Sequence, residues 1–102
     1  MVTEMTKDDF INEYLLEDGT VILEDWDTFH KGIIGVTDDH CHIIYGYNKL
    51  TEALADSYMQ TESINQEEAM LMAIDWIEYN TIRAIPYMDK EYRPIIAIEV
   101  DI

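Results

Sequence analysis

Twenty-two acidic residues against six basic ones, in a chain of 102, leave a formal charge of −16. No other feature constrains the fold as much. An imbalance of this size opposes compaction through self-repulsion, so any stable structure must bury enough apolar surface to overcome it. The material for such a core is present. Hydrophobic residues make up 48% of the chain, with seven Tyr, two Trp and two Phe, which is not the composition of a disordered segment. The same charge works against direct contact with nucleic acid or an anionic membrane and favours encounters with basic surfaces. It also serves solubility.

The length suits one domain, 1–102, with no internal repeat, low-complexity stretch or linker. The longest apolar runs are a few residues, far short of the ~20 that a membrane helix needs. Met1-Val2-Thr3-Glu4 has no basic region followed by an apolar stretch and does not read as a secretory signal. The single cysteine, Cys41, has no partner for an internal disulfide, which fits a reducing compartment. The expected location is the cytoplasm, of a bacterium or of an infected cell.

Local patterns predict an α+β fold: a small antiparallel or mixed sheet with helices packed on one face. A first helix is expected at about 6–16, capped by Thr6, with Phe10, Ile11, Tyr14 and Leu15 on one stripe. Val21-Ile22-Leu23 is a short candidate strand. A hairpin over 33–45 pairs Ile33–Val36 with Cys41–Tyr45 through the polar connection Thr37–His40. A second helix, at about 48–59, has Asn48 as its cap and Leu50, Ala53, Leu54 and Tyr58 inside. A third, at about 66–79, opens with the capping-box pattern of Asn65 and Glu68 and has Asn80 as its stop. Its apolar arc holds Ala69, Met70, Ala73, Ile74, Trp76 and Ile77. A closing strand at 95–100 faces Ile96, Ile98 and Val100 one way.

Asp38-Asp39-His40-Cys41-His42 collects carboxylate, imidazole and thiolate, all ligands of transition metals. On a strand, His40 and His42 would share a face. A structural zinc site asks for four converging ligands, and the competing reading is a hairpin with a polar face. Cys41 beside a histidine lacks a legible orienting group and oxyanion element, and a half-buried strand cysteine explains it as well. The four glycines are scattered singly and form no phosphate loop. No catalytic set and no cofactor site emerges, so the chain reads as a binding protein and not as an enzyme. Arg83 lies in a neutral stretch. It is expected to act as an internal tether, to backbone carbonyls or to Asp75 or Glu78, with an external anion as the alternative.

Glu67-Glu68-Ala69, followed by Asp75-Trp76-Ile77-Glu78-Tyr79-Asn80-Thr81-Ile82-Arg83-Ala84-Ile85-Pro86-Tyr87-Met88, resembles a segment of small uncharacterised proteins encoded by bacteriophages and prophages. In those proteins an element similar to Gly32-Ile33-Ile34-Gly35-Val36, with a Tyr45-Gly46-Tyr47 stretch, comes earlier. The resemblance spans about residues 30 to 100 and leaves out the acidic N-terminal third and Ser57 to Ser63. It implies phage origin and a shared fold, and it transfers no catalytic residues.

Charge and resemblance together point to a phage-encoded acidic protein that binds and inhibits a basic, nucleic-acid-handling host protein. Anti-CRISPR, anti-restriction and DNA-mimicking modes all belong to this reading. A ~100-residue domain is roughly 34 Å across, and duplex DNA of that length carries about twenty charges; −16 is of that order if it gathers on one face. The candidate binding residues are Glu67, Glu68, Asp75 and Glu78 on one helical arc, and Glu24, Asp25, Trp26 and Asp27. Glu17-Asp18 forms a further acidic pair. The competing reading is a small structural or regulatory phage protein, a homodimer among its forms, whose charge is only solubilising. Its interface would be apolar, built from Leu71 and Met72 or from Trp26 and Phe29.

Overall fold

Because β2 must supply the sheet's central strand, the two strands beside it reach it by different routes. The computed structural model describes residues 5–101. Helix α1 (Lys7–Glu13), the short α2 (Trp26–Phe29) and a 3-10 turn (His30–Gly32) precede strand β1 (Ile33–Val36). Strand β2 (Ile43–Gly46) then runs directly into α3 (Tyr47–Thr61), followed by α4 (Gln66–Trp76), a π-helical turn (Ile77–Ile82) and β3 (Ile95–Ala97). The sheet order is β1-β2-β3, with β1 antiparallel and β3 parallel to β2. A parallel neighbour needs a crossover connection, and α3 and α4 provide it. The fold is α+β with a small mixed sheet, as the patterning predicts.

The core forms where these elements meet. Ile43 and Tyr45 of β2, Leu50, Leu54 and Ala55 of α3, Ala69 and Ala73 of α4, and Ile77 are buried together with Phe10 and Phe29. The Tyr45 hydroxyl accepts the Leu23 backbone N–H at 3.1 Å, so its buried polar end is satisfied. Burial pushes the Tyr45 phenol up to about 12.

Several boundaries depart from the sequence expectations, each for a physical reason. Helix α1 has the expected Thr6 cap, here a reciprocal capping box with Asp9, but it ends at Glu13 instead of residue 16. Leu15 leaves the helix with φ +53 and is 71% exposed, so its stripe is only half buried. Val21–Leu23 is not a strand; it is extended chain tied by single bonds, Val21 N–H to the Tyr92 carbonyl and Leu23 N–H to Tyr45. The second hairpin strand starts at Ile43, not Cys41. Thr37, His40 and His42 close the turn, with His40 at φ +65.

Asn48 does not cap α3. The N-cap is Gly46, and the carboxylate of Glu99 reaches in from beyond β3 to accept the N–H groups of Asn48 (3.0 Å) and Lys49 (2.9 Å). Closing the last strand at Ala97 frees Glu99 for this role and leaves Ile98 and Val100 exposed. Asn65 caps α4 by accepting the Glu68 N–H at 2.8 Å. Among the described residues the return bond of a full capping box is not made there. Asn80 does not stop the helix; the chain continues in π geometry to Ile82.

Candidate functional site

Helix α4 buries Ala69 and Ala73 against the core, and this choice fixes what its other side shows. Leu71 sits on that outer side and is 63% exposed. Glu67, Glu68 and Asp75 stand at its i−4, i−3 and i+4 positions, and all three are exposed. Glu67 and Glu68 occupy the first turn, where the Asn65 cap starts the helix and the macrodipole favours negative charge. An apolar side chain is thus held out to water inside a ring of carboxylates. The sequence pattern places Leu71 and Met72 beside the acidic arc; the structure sets Leu71 within it.

Glu78 continues the acidic face at the start of the π-helical turn and is exposed. It accepts a 2.9 Å hydrogen bond from the Tyr47 hydroxyl, anchoring this turn to the start of α3. Burial, and then the Glu78 carboxylate, raise the Tyr47 phenol above its ordinary value. Met72, Asp75, Trp76, Tyr79, Asn80 and Tyr58 line a shallow hollow of about 400 Å³ next to the face. π-Helical turns inside helices occur frequently at functional sites. Arg83 is not the expected tether: its guanidinium lies 4.7 Å over the ring of exposed Tyr79, a cation–π contact. Among the described residues the one side-chain ion pair is Lys7–Glu24, at 3.5 Å.

The N-terminal candidates have structural duties. Glu24 is the partner in that exposed pair. Asp25 caps α2, accepting the Asp27 N–H at 3.2 Å and the Thr28 hydroxyl at 3.4 Å. Trp26 is half-buried against Phe10 and stacked on His30, while its indole N–H donates to the Met5 carbonyl. Asp27 is exposed, and Phe29 is buried in the core. Trp26 and Phe29 therefore do not form an exposed anchor pair.

His40 and His42 do not share a strand face. The His40 Nδ1 is 2.9 Å from the Tyr14 carbonyl, and the His42 Nδ1 is 2.8 Å from the Arg93 carbonyl, so each ring pins a different segment to the turn. Asp38 is exposed beside them. Among the described residues no three His, Cys, Asp or Glu side chains are gathered to hold a metal. Burial raises the Cys41 thiol, and Asp39, Glu17 and Glu91 raise it further. That is the wrong direction for a thiolate nucleophile. Two of these three carboxylates, Glu17 and Glu91, are far from Cys41 in the chain, so no local sequence pattern carries their effect.

A second and larger concavity, about 790 Å³, opens between α1 and β1. No helix among the described residues is long and apolar enough to cross a membrane. No protein family, no curated protein and no solved structure matches the chain.

Proposed function

We propose that this chain is a phage-encoded acidic binding protein that docks on, and inhibits, a basic nucleic-acid-handling protein of the bacterial host, such as a CRISPR effector or a restriction enzyme. The exposed face of α4 is the contact surface. Leu71 supplies the apolar anchor, and Glu67, Glu68, Asp75 and Glu78 supply a ring complementary to Lys and Arg. The observation that carries this reading is the exposure of Leu71 among carboxylates that have almost no cations to pair with. Asp75 and Glu78, three residues apart, repel each other by a few tenths of a kcal/mol. An exposed leucine adds nothing to folding. Both features suit a bound state better than a free one.

The charge supports the same reading. The molecule measures 40 × 38 × 30 Å, and a duplex as long as its longest axis carries roughly 24 charges at one per ~1.7 Å. Net −16 approaches that density only where acids cluster, as on α4. The action is steric and electrostatic, with no chemistry or cofactor, and it takes place in the host cytoplasm.

The test is the triple variant Glu67→Gln, Glu68→Gln, Asp75→Asn against purified basic nucleases of both kinds. Its stability should stay within ~0.5 kcal/mol of the parent or rise slightly, while affinity and inhibition fall and the salt dependence of binding flattens. Undiminished inhibition by a folded variant would remove the α4 face from the reading. The exposure of Leu71 and Met72 also favours a second reading, a homodimer closed by these residues. A dimer that light scattering shows to be insensitive to salt and abolished by Leu71→Gln would establish it instead.

A further inference from the structure

The concavity between α1 and β1 has an unusual lining. Every residue from Ile33 through Asp38 borders it. Successive residues of a strand point to opposite faces of its sheet, so a cleft that touches all of them runs along the strand's edge and not over one face. The sheet order agrees: among the described residues β1 is an outer strand whose one neighbour is β2. The opposite wall comes from α1 and α2, where Phe10, Tyr14 and Trp26 form an aromatic floor with ring centroids 4.8 and 5.6 Å apart. Leu15 and Ile34 project at the mouth, 71% and 42% exposed. Ile34 is the extra residue of a β-bulge, which re-aims its side chain.

The charges at the cleft are of one sign. Glu13 and Asp38 border it, neither hydrogen-bonded by its side chain among the described residues, and no Lys or Arg does. His30 and His40 also border it, but their Nδ1 atoms are occupied by the carbonyls of Trp26 and Tyr14.

We propose that this cleft is a docking site for an extended segment of a partner protein that alternates apolar residues with Lys or Arg. The segment adds a strand at the free edge of β1. Its apolar side chains fall on the aromatic floor and on Leu15 and Ile34, and its cations meet Glu13 and Asp38. A second copy of this chain is disfavoured as occupant, because its charge of −16 would meet the same acidic rim. Leu15 bears on function in its own right. A leucine at positive φ sits where Gly or Asn is better tolerated, and here that costly conformation holds an apolar side chain at the mouth of the cleft. The site extends the reading above: it shares the basic partner but is a separate surface from α4.

The experiment titrates the intact protein with an acetylated peptide of about eight residues alternating lysine and valine, a length that pairs along a strand of this size. Amide chemical shifts and calorimetry are the readouts. The largest shifts should fall on Gly35 to Asp38 and Phe10 to Leu15. A peptide of the same composition, with its lysines and valines in separate blocks, should bind about tenfold more weakly. Leu15→Asn should weaken the alternating peptide about fivefold while the protein stays as stable or becomes more so. The joint variant Glu13→Gln, Asp38→Asn should weaken it about threefold. Equal binding of the two peptides, or full affinity in Leu15→Asn, would overturn the proposal by reducing the contact to non-specific charge attraction. The α4 triple variant should bind the peptide as the parent does; shifts centred on α4 and lost in that variant would assign the peptide to the other face. Failure here and failure of the α4 reading thus give different patterns.

Discussion

Replacing Glu99 by Gln should destabilise this protein more than any other single charge removal, although it deletes one negative charge from a molecule carrying a net −16. Glu99 is the side-chain cap of α3, the longest helix, and accepts two N–H groups at 3.0 and 2.9 Å. A glutamine keeps one acceptor oxygen but loses the second and the charge. The lost charge–dipole interaction is worth about 0.3–1 kcal/mol, and the weakened bonds to the helix terminus about 1 kcal/mol more. The expected cost is therefore about 1–2 kcal/mol, which lowers a urea midpoint by about 1 M in a domain of this size. The pH dependence separates charge from packing. Partial burial raises the Glu99 carboxyl, but the Asn48 and Lys49 N–H bonds, its own backbone N–H and the Lys49 charge outweigh that and leave it below its ordinary 4.5. A lowered folded pKa means that the stabilisation is present above 4.5 and is lost as pH falls through the lower folded value. Urea titrations of parent and Glu99→Gln should thus differ at pH near 7 and converge in acid. Equal midpoints at neutral pH, or a gap that persists in acid, would refute the charged cap.

The two glycines that touch helix α3 should respond differently to alanine. A Cβ on Gly46 would lie 2.5 Å from Glu99 Oε2, the movable end of a side chain. Gly46→Ala should therefore cost about as much as the cap, ~1–2 kcal/mol, and combine with Glu99→Gln less than additively. A Cβ on Gly32 would lie 2.6 Å from a methyl of Leu50 and 3.2 Å from its Cα, in a fully buried position that cannot yield. Gly32→Ala should cost more, about 3 kcal/mol; chemical denaturation giving the opposite order would contradict the packing argument. Because burial and the carboxylates of Asp39, Glu17 and Glu91 raise the Cys41 thiol, iodoacetamide should modify it more slowly than a free thiol at pH about 8.5. Denaturant should restore the ordinary rate, and a native rate at or above that of a free thiol would be incompatible with this environment.

Local sequence determined what depends on neighbours in the chain. The caps at Thr6 and Asn65, the inner faces of α3 and α4, and the antiparallel pairing of Ile33–Val36 with the strand ending near Tyr45 all follow from spacing and residue type, because their hydrogen bonds and apolar periodicities close within a few residues. The acidic arc of α4 was legible for the same reason, since positions 67, 68 and 75 share a face in any α-helix. What required tertiary structure were contacts between residues far apart in sequence. Glu99 caps α3 across some fifty positions, and so ends the last strand at Ala97 and frays the apolar alternation that ran on to Val100. His40 and His42 look like a ligand pair in sequence, yet their rings bond carbonyls 26 and 51 positions away. Trp26 and Phe29 resemble exposed anchors among acids, but the core claims Phe29 and half of Trp26. The cleft beside β1 was invisible for a related reason. It is made of a strand's free edge and a helix flank, and an open edge exists only once the order of strands in the sheet is settled.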